Sequence, residues 1–259
     1  MQTIYFSEYL ALNHPKLFDC LKNILTTHNY KIKRLKKTKD IWIRDFMPLK
    51  LESNYVEYIY DPDYLQDNNF APYRTNPYSV VNELNLSTTK IELILDGGNV
   101  VKYNNTIIMT DKVLTENNII EKKLKEFFPK QRLVLIPRDP HKEEIYGHAD
   151  GMVRFISENH LLVNSHYENK FKQKLHKILK EAGFQLTELK VKEETTYSWG
   201  YINFLHIDKL IIQPSIDKIN DKYIQEQLEE FYPSTTIEQC DAEKLAEGGG
   251  VFNCISWEN

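Results

Sequence analysis

The sequence predicts an α/β fold in which five similar units, each reading strand–strand–helix–strand, close into a ring. Three observations support this prediction. The same order of elements recurs about every fifty residues, a polar residue recurs near the start of each unit, and the two ends of the chain carry incomplete parts of one further unit. Closure by a strand from the opposite end removes an exposed sheet edge. We therefore expect one domain that spans residues 1–259.

Three complete units follow one another in the middle of the chain. The first starts at Asp96-Gly97-Gly98-Asn99 and predicts strands at 100–103 and 106–110, a helix at 116–128 and a strand at 132–136. The second starts at Gly147-His148-Ala149-Asp150 and predicts strands at 152–156 and 160–164, a helix at 169–181 and a strand at 184–190. Gly183 is placed as the C-cap of this helix. The third starts at Tyr201-Ile202-Asn203-Phe204 and predicts a strand at 210–214, a helix at 221–231 and a strand at 235–239.

The same register extends towards both ends of the chain. An earlier unit starts at Trp42-Ile43-Arg44-Asp45 and predicts strands at 55–60 and 91–95 and a helix at 78–86, with a long insert at 61–77. An insert of this length is typical of a binding loop or lid. The terminal parts are a strand at 3–6, a helix at 16–27, a strand at 30–35 and a last strand at 250–257.

One polar residue lies at the mouth of each unit. These residues are Asp45, Asp96, His148, Asn203 and Cys254, separated by 51, 52, 55 and 51 positions. In a ring of equivalent units the mouths converge near the axis. We therefore expect two carboxylates, an imidazole, an amide and a thiol to share one cavity.

The mouth of the last unit combines a glycine run with a cysteine. Gly248-Gly249-Gly250 precede Cys254 by a few residues, and glycines allow positive φ angles and close approach of another group. This pattern suits a thiol presented to a ligand, so Cys254 is a candidate nucleophile. The alternative is a buried structural cysteine after a glycine turn.

The other mouth residues also have structural interpretations. His148 and Asp150 could be a pair of metal ligands, although no third ligand falls at a suitable spacing. Asp96 could be the first residue of an Asp-Gly turn, and Asn203 could be a hydrogen-bonded amide of the core. The repeat register is what favours a shared site over these alternatives.

Composition narrows the classes of partner. The 37 acidic and 33 basic residues give a net charge of -4, which disfavours wrapping of nucleic acid or binding to an anionic membrane and favours a small or cationic ligand. Cys20, Cys240 and Cys254 show no metal-ligand spacing, and their odd number and wide separation favour a reducing compartment. The N-terminal stretch lacks a basic and apolar leader pattern, so a cytoplasmic location is expected. The oligomeric state is not predicted.

The set of mouth motifs, in this order and with the cysteine last, resembles the agmatine deiminase and bacterial-type peptidylarginine deiminase family. The resemblance runs from about Trp42 to Ser256. It implies the pentein fold, which is a five-bladed α/β propeller shared by guanidine-modifying enzymes.

The resemblance also implies roles for individual residues. It makes Cys254 the nucleophile, His148 the general acid and base, and Asp45 with Asp150 the carboxylates that hold a guanidinium group. Asp96 matches the acidic residue that orients the histidine.

Two further residues match the family's substrate site, namely Asn203 and Trp42. The implied reaction is hydrolysis of a guanidino group to a ureido group with release of ammonia, without a metal or organic cofactor. The implied substrate is agmatine, an arginine derivative or an arginyl peptide. An amidinotransferase, in which an amine replaces water, and a non-catalytic guanidine-binding module are the alternatives.

Overall fold

The computed structural model describes residues 2–52, 54–141 and 145–259, and these residues form five three-stranded sheets. We number the sheets as blades 1 to 5. Their strands are, in turn, Thr3–Ser7, Lys31–Leu35 and Trp257–Glu258; Leu49–Leu51, Asn54–Ile59 and Thr88–Ile94; Val101–Tyr103, Thr106–Thr110 and Arg132–Ile136; Val153–Ser157, His160–Asn164 and Gln185–Leu189; Leu205–Ile207, Leu210–Ser215 and Thr236–Asp241. In each blade the middle strand pairs antiparallel with one neighbour and parallel with the other. The predicted ring of ββαβ units, the five-bladed α/β propeller, is confirmed.

Seven of the helices in the described ranges connect the parallel strands of a blade, namely Glu8–Asn13, Pro15–Thr27, Pro77–Leu84, Lys112–Asn117, Glu121–Phe127, Asn169–Glu181 and Lys218–Phe231. The short helices Ile43–Phe46 and Glu243–Ala246 lie between blades instead. In Asn169–Glu181 the side chains of Leu175 and Leu179, one helical turn apart, are fully buried against the sheet of blade 4. The opposite face of this helix is rich in lysine and remains exposed. The same amphipathic pattern is what made the helix at 169–181 recognisable in the sequence.

Trp257 closes the ring. Its strand pairs antiparallel with the first strand through Ile4 and Tyr5. The indole is 3% exposed, donates a hydrogen bond from Nε1 to the Pro48 carbonyl at 3.0 Å, and packs against Tyr5 of blade 1 and Tyr55 of blade 2. One side chain therefore joins the first blade to its neighbour, as expected for a closing strand.

The predicted strand at 250–257 is wrong over most of its length. Residues 252–255 form a turn, and only Trp257–Glu258 is a strand. The turn is stabilised locally, because Ser256 donates hydrogen bonds from its backbone N–H to Asn253 O and from Oγ to Phe252 O. These bonds use groups that a strand would have given to a ladder. As expected, the segment is buried, and Val251, Phe252 and Ile255 are fully so.

The predicted helix at 116–128 is also corrected, because the chain forms two helices, Lys112–Asn117 and Glu121–Phe127. Asn118 adopts the left-handed conformation with φ 48°, which ends the first helix. The short strand Leu49–Leu51 was not predicted.

Cys20 and Cys240 form a disulfide, which the spacing of the cysteines did not predict. Disulfides persist mainly in oxidising compartments, so this pair does not support the predicted reducing compartment, and the cytoplasmic location stays a prediction. No helix in the described part of the chain combines the length and apolar character that a membrane span requires.

Candidate functional site

The five mouth residues lie close together. Each lies in or next to a short turn or helix rather than in a strand. Asp45 belongs to the helix Ile43–Phe46, and Asp96 and His148 each precede a 3₁₀ turn. Asn203 follows the 3₁₀ turn Ser198–Ile202, and Cys254 lies in the C-terminal turn. Each residue comes from a different unit, so the repeat predicted their convergence.

His148 is held between two carboxylates. Its Nε2 lies 3.1 Å from Asp96 Oδ2, and its Nδ1 lies 3.7 Å from Asp45 Oδ1, too far for a hydrogen bond. Burial alone would lower the pKa of His148, but the charge of Asp45 and the hydrogen bond to Asp96 outweigh it and raise this pKa to about 9. The imidazole is therefore protonated at neutral pH, with Nδ1 available to a ligand.

Asp96 owes its charge to a second cation, Lys112, which is 1% exposed. Lys112 Nζ donates to Asp96 Oδ2 at 2.5 Å and also approaches Glu116 at 2.9 Å and Asp63 at 3.4 Å. Burial would raise the pKa of Asp96, yet the hydrogen bonds and charges of His148 and Lys112 lower it. Asp96 is thus a buried carboxylate that contacts His148, and its implied role in orienting the histidine stays a prediction.

Asp45 receives a backbone hydrogen bond from Gly98, whose N–H donates to Asp45 Oδ1 at 2.9 Å. Burial raises the pKa of Asp45 to about 7, against the lowering effect of the His148 charge. A Cβ atom on Gly98 would lie 2.5 Å from His148 Nδ1 and 2.7 Å from Asp45 Oδ1. Only glycine therefore allows the histidine and this carboxylate to approach the backbone so closely. Arg44 does not pair with Asp45, because its Nε donates to Asn253 O at 3.2 Å and its guanidinium lies 3.9 Å from Glu258.

Cys254 lies against Asp150 and Asn203. Its Sγ is 3.5 Å from Asp150 Oδ2 and 3.3 Å from Asn203 Oδ1. Asp150 Oδ2 also accepts hydrogen bonds from Asn203 Nδ2 at 3.0 Å and from Asn253 Nδ2 at 2.8 Å. The two amides orient this carboxylate beside the thiol, and Asn203 is consequently no isolated core amide.

The electrostatics of Cys254 oppose ionisation when no ligand is bound. Burial, together with the charges of Asp150 and Asp45, raises the pKa of the thiol well above its ordinary value. A cation placed between these carboxylates would reverse the sign of that field. A cationic ligand at this position would therefore favour the thiolate form of Cys254.

A cavity of about 300 Å³ opens onto this site. Its lining residues are Asp40, Trp42, Asp45, Tyr60, Tyr64, Leu65, Phe70, Tyr73, Ile145, Tyr146, His148, Gly248, Gly249 and Cys254. The wall is aromatic and acidic, and Trp42 packs over Gly250, where a Cβ atom would lie 2.4 Å from its ring. Of the five mouth residues, only Asp45, His148 and Cys254 line this cavity, so the expectation that all five share it is wrong for Asp96 and Asn203. Asp150 lines a separate cavity. The long insert at 61–77 supplies four of the lining residues of the first cavity, and its role as a binding loop stays a prediction.

Several residues of the site were not predicted. The repeat gave no reason to select four of them, because they do not occupy the repeating positions at the unit mouths; these are Lys112, Asn253, Tyr64 and Tyr146. Asp40 also lines the cavity, and burial raises its pKa to about 6 against the opposing hydrogen bonds from Ile41 and Trp42 N–H groups.

No group of three or more His, Cys, Asp or Glu side chains in the described ranges could hold a metal ion.

Comparison with known proteins identifies the family. The family model described as Porphyromonas-type peptidyl-arginine deiminase matches residues 12–259. A protein of Mycoplasma capricolum subsp. capricolum named "Putative agmatine deiminase" is 24% identical over 214 residues, which cover 66% of this chain and 59% of that protein. The match thus spans less than two thirds of the relative's length.

Two solved structures share the fold over the whole of this chain. C. jejuni agmatine deiminase has a TM-score of 0.79 at 18% identity, with 93% of that chain covered. Agmatine deiminase of Enterococcus faecalis has a TM-score of 0.74 at 13% identity, with 93% of that chain covered. The family match over residues 12–259, together with this pentein fold, shows that the chain belongs to the Porphyromonas-type peptidyl-arginine deiminase family.

Proposed function

We propose that this chain hydrolyses a guanidino group to a ureido group and ammonia through a covalent intermediate on Cys254. One observation carries the proposal. The thiol lies 3.5 Å from the Asp150 carboxylate, and in the same cluster the imidazole of His148 is held by Asp96 and approached by Asp45. Family membership supports the same reaction. Because the groups come from every blade, the proposal treats residues 1–259 as one catalytic domain.

Two carboxylates would bind the guanidinium. Carboxylates accept the paired N–H bonds of a planar guanidinium, and a fixed pair sets the distance from its central carbon to the attacking sulfur. Asp45 is oriented by Gly98 N–H and Asp150 by the amides of Asn203 and Asn253. Trp42 would provide a flat wall for the bound cation.

Binding would also activate the nucleophile. The carboxylates that raise the pKa of Cys254 are the groups that a guanidinium would neutralise. The pKa of the thiol then falls, its proton passes to bulk water, and the thiolate forms in contact with its electrophile. Substrate charge thus controls when the thiol becomes reactive.

In the first half of the reaction the thiolate attacks the guanidinium carbon and forms a C–S bond. The protonated His148 gives its proton to one terminal nitrogen, the C–N bond breaks, and ammonia leaves. The product on the enzyme is a cationic S-alkylthiouronium, and His148 is now neutral. The high pKa of His148, about 9, ensures that this proton is present at neutral pH.

In the second half neutral His148 takes a proton from water, and the resulting hydroxide adds to the thiouronium carbon. Collapse of this adduct breaks the C–S bond, its hydroxyl group gives up a proton to bulk water, where the proton can be taken up by the released ammonia, and the ureido product leaves. Cys254 returns as thiolate and His148 as imidazolium. Every step uses only groups of the chain, the substrate and water.

The far part of the pocket favours a small guanidino amine such as agmatine as the substrate. Asp40 is a second carboxylate among the lining residues, and Tyr60 and Tyr64 offer apolar contact for a short aliphatic chain. The described lining residues include neither arginine nor lysine, which a free carboxylate on the substrate would need as a partner. A solved structure of a Cys-to-Ser variant of C. jejuni agmatine deiminase is described as having substrate bound.

The test is ammonia release from agmatine, arginine and an arginyl peptide, with Cys254→Ala as the control. We expect turnover with agmatine, a ureido product by mass, and none from the folded Cys254→Ala variant. A substituted guanidine in the presence of an added amine would reveal amidino transfer. Thermal stabilisation by these compounds without any ammonia would show a binding module and refute the proposed reaction.

A further inference from the structure

A second set of equivalent positions surrounds the ring axis. The innermost strand of each blade carries one such position, and the residues there are Lys50, Lys102, Arg154, His206 and Glu258, spaced by 52 residues. All of them line a cavity of about 250 Å³ on the other side of Asp150 from the thiol pocket. The five-fold repeat thus builds one ring of side chains for the candidate active site and another ring for this axial cavity.

The cations that line this cavity, Arg44, Lys50, Lys102 and Arg154, outnumber its carboxylates, Asp150 and Glu258. The ammonium groups of Lys50 and Lys102 form no ion pair or hydrogen bond within residues 2–52, 54–141 and 145–259. Arg154 places its guanidinium over the Phe204 ring at 4.2 Å, and no hydrogen bond or ion pair of this guanidinium occurs within the described ranges. The stacking leaves its N–H donors free to face the cavity.

The remaining members offset this charge only in part. His206 is neutral, because burial and the charge of Arg154 lower its pKa to about 4. Glu258 lies 3.9 Å from the Arg44 guanidinium, and its charge also acts on Lys102 and Arg154. Asp150 accepts hydrogen bonds from two amides, and its charge acts on Arg154. A protein with a net charge of -4 therefore concentrates positive charge at one point of its axis.

The cations also act on one another. Burial lowers the pKa of Lys102; the charge of Glu258 opposes this effect, and the charges of Arg44 and Lys50 add to it. Burial and the charge of Arg44 likewise lower the pKa of Arg154, against the raising effects of Tyr232, Glu258 and Asp150. Like charges that face one cavity repel each other, and a bound anion would relieve that repulsion. The cavity is large enough for such an ion together with water.

We propose that the axial cavity binds a small polyvalent oxyanion of the phosphate class, held by Lys50, Lys102 and Arg154. Arginine and lysine are the side chains that proteins use for phosphate, arginine through its planar fork and lysine through its point charge. His206 adds a neutral N–H donor at the same level of the ring. This site is independent of the reaction proposed for Cys254, and its failure would leave that proposal untouched.

Calorimetric titration of the full chain with sodium pyrophosphate at constant ionic strength tests the proposal, with sodium chloride as the reference anion. Lys102→Gln should weaken binding by roughly tenfold, because a charge-assisted hydrogen bond is lost. Glu258→Gln should tighten binding severalfold, because the negative member of the ring is removed. Lys130→Gln, a change at an exposed lysine outside the cavity, should leave binding unchanged.

Opposite effects of Lys102→Gln and Glu258→Gln would establish the site, since a merely structural role would not change sign. If Glu258→Gln does not fold, Lys50→Gln supplies a second variant, with weaker binding expected. Absence of pyrophosphate binding by the wild type up to about 10 mM would overturn the proposal. Equal responses to pyrophosphate and chloride, or equal affinity in Lys102→Gln and Lys130→Gln, would overturn it as well.

Discussion

Replacing Gly98 by alanine should disable the candidate site while leaving the ring folded. The added Cβ atom would lie 2.5 Å from His148 Nδ1 and 2.7 Å from Asp45 Oδ1, whereas ordinary contacts begin at 3.4 Å. The imidazole must therefore retreat by about 0.9 Å and the carboxylate by about 0.7 Å, or Gly98 itself must shift. Asp45 is buried and His148 is held by Asp96, so neither can move without displacing its neighbours.

The consequences for stability and for activity differ in size. Overpacking of one methyl group costs roughly 1–3 kcal/mol in a buried site, which a chain of this length can tolerate. A displacement of about 1 Å in a catalytic group lowers the rate by about 100-fold. We therefore expect kcat/KM for agmatine to fall by about 100-fold, with a modest decrease in Tm.

The matched control is Gly151→Ala. Gly151 occupies the 3₁₀ turn of the next unit, and the nearest heavy atom to its added Cβ, Trp199 Cε3, lies at 4.0 Å. Ammonia release and thermal unfolding should be measured for both variants. The reasoning is refuted if Gly98→Ala keeps more than about half of the wild-type kcat/KM, or if Gly151→Ala loses as much as Gly98→Ala does.

Three further outcomes are expected. The pH profile of kcat/KM should be bell-shaped. The rate constant should rise through about pH 7, as Asp45 ionises to bind the cation, and fall through about pH 9, as His148 loses the proton that the leaving ammonia needs. A profile that is flat from pH 6 to 10 would contradict these assignments. Asn253→Ala should lower kcat/KM by roughly tenfold and Asn253→Asp by more, because the new carboxylate would repel Asp150; an active Asn253→Asp variant would count against the amide contact. Alkylation of the unfolded, unreduced chain should label only Cys254, with Cys20 and Cys240 labelled after reduction, and mass spectrometry showing three reactive thiols before reduction would exclude the disulfide.

The repeat allowed much of the fold to be predicted because it depends on local signals. The strands at 106–110, 132–136 and 160–164 and the helix at 169–181 have the predicted bounds, since their alternating or helical apolar patterns end at turns. The prediction failed where local and distant contacts compete. The apolar pattern of 250–257 resembles a strand, yet internal hydrogen bonds of Ser256 fold most of it into a turn.

The candidate site was predicted in part for the same reason. Asp45, Asp96, His148, Asn203 and Cys254 share a register, so position alone grouped them. Lys112 and Asn253 reach the cluster from outside that register, and the pairing of Cys20 with Cys240 joins positions 220 residues apart. Contacts of this kind depend on the completed tertiary structure and produce no repeating pattern in the sequence. Lys50, Lys102, Arg154, His206 and Glu258 do follow the period, but the repeat alone did not indicate that they line one cavity.

The Trp257 contact suggests where blade 1 should first open. The closing strand is only two residues long, and its indole packs between Tyr5 and Tyr55. The Cys20–Cys240 disulfide joins the helix Pro15–Thr27 of blade 1 to the last strand of blade 5 and does not hold the closing strand. Under heating or denaturant we therefore expect the pairing of Trp257–Glu258 with Thr3–Ser7 to open early. Cys254 lies three positions before this tryptophan, so the thiol would leave its partners in the same event. Inactivation and the earliest step of unfolding should therefore share one rate constant.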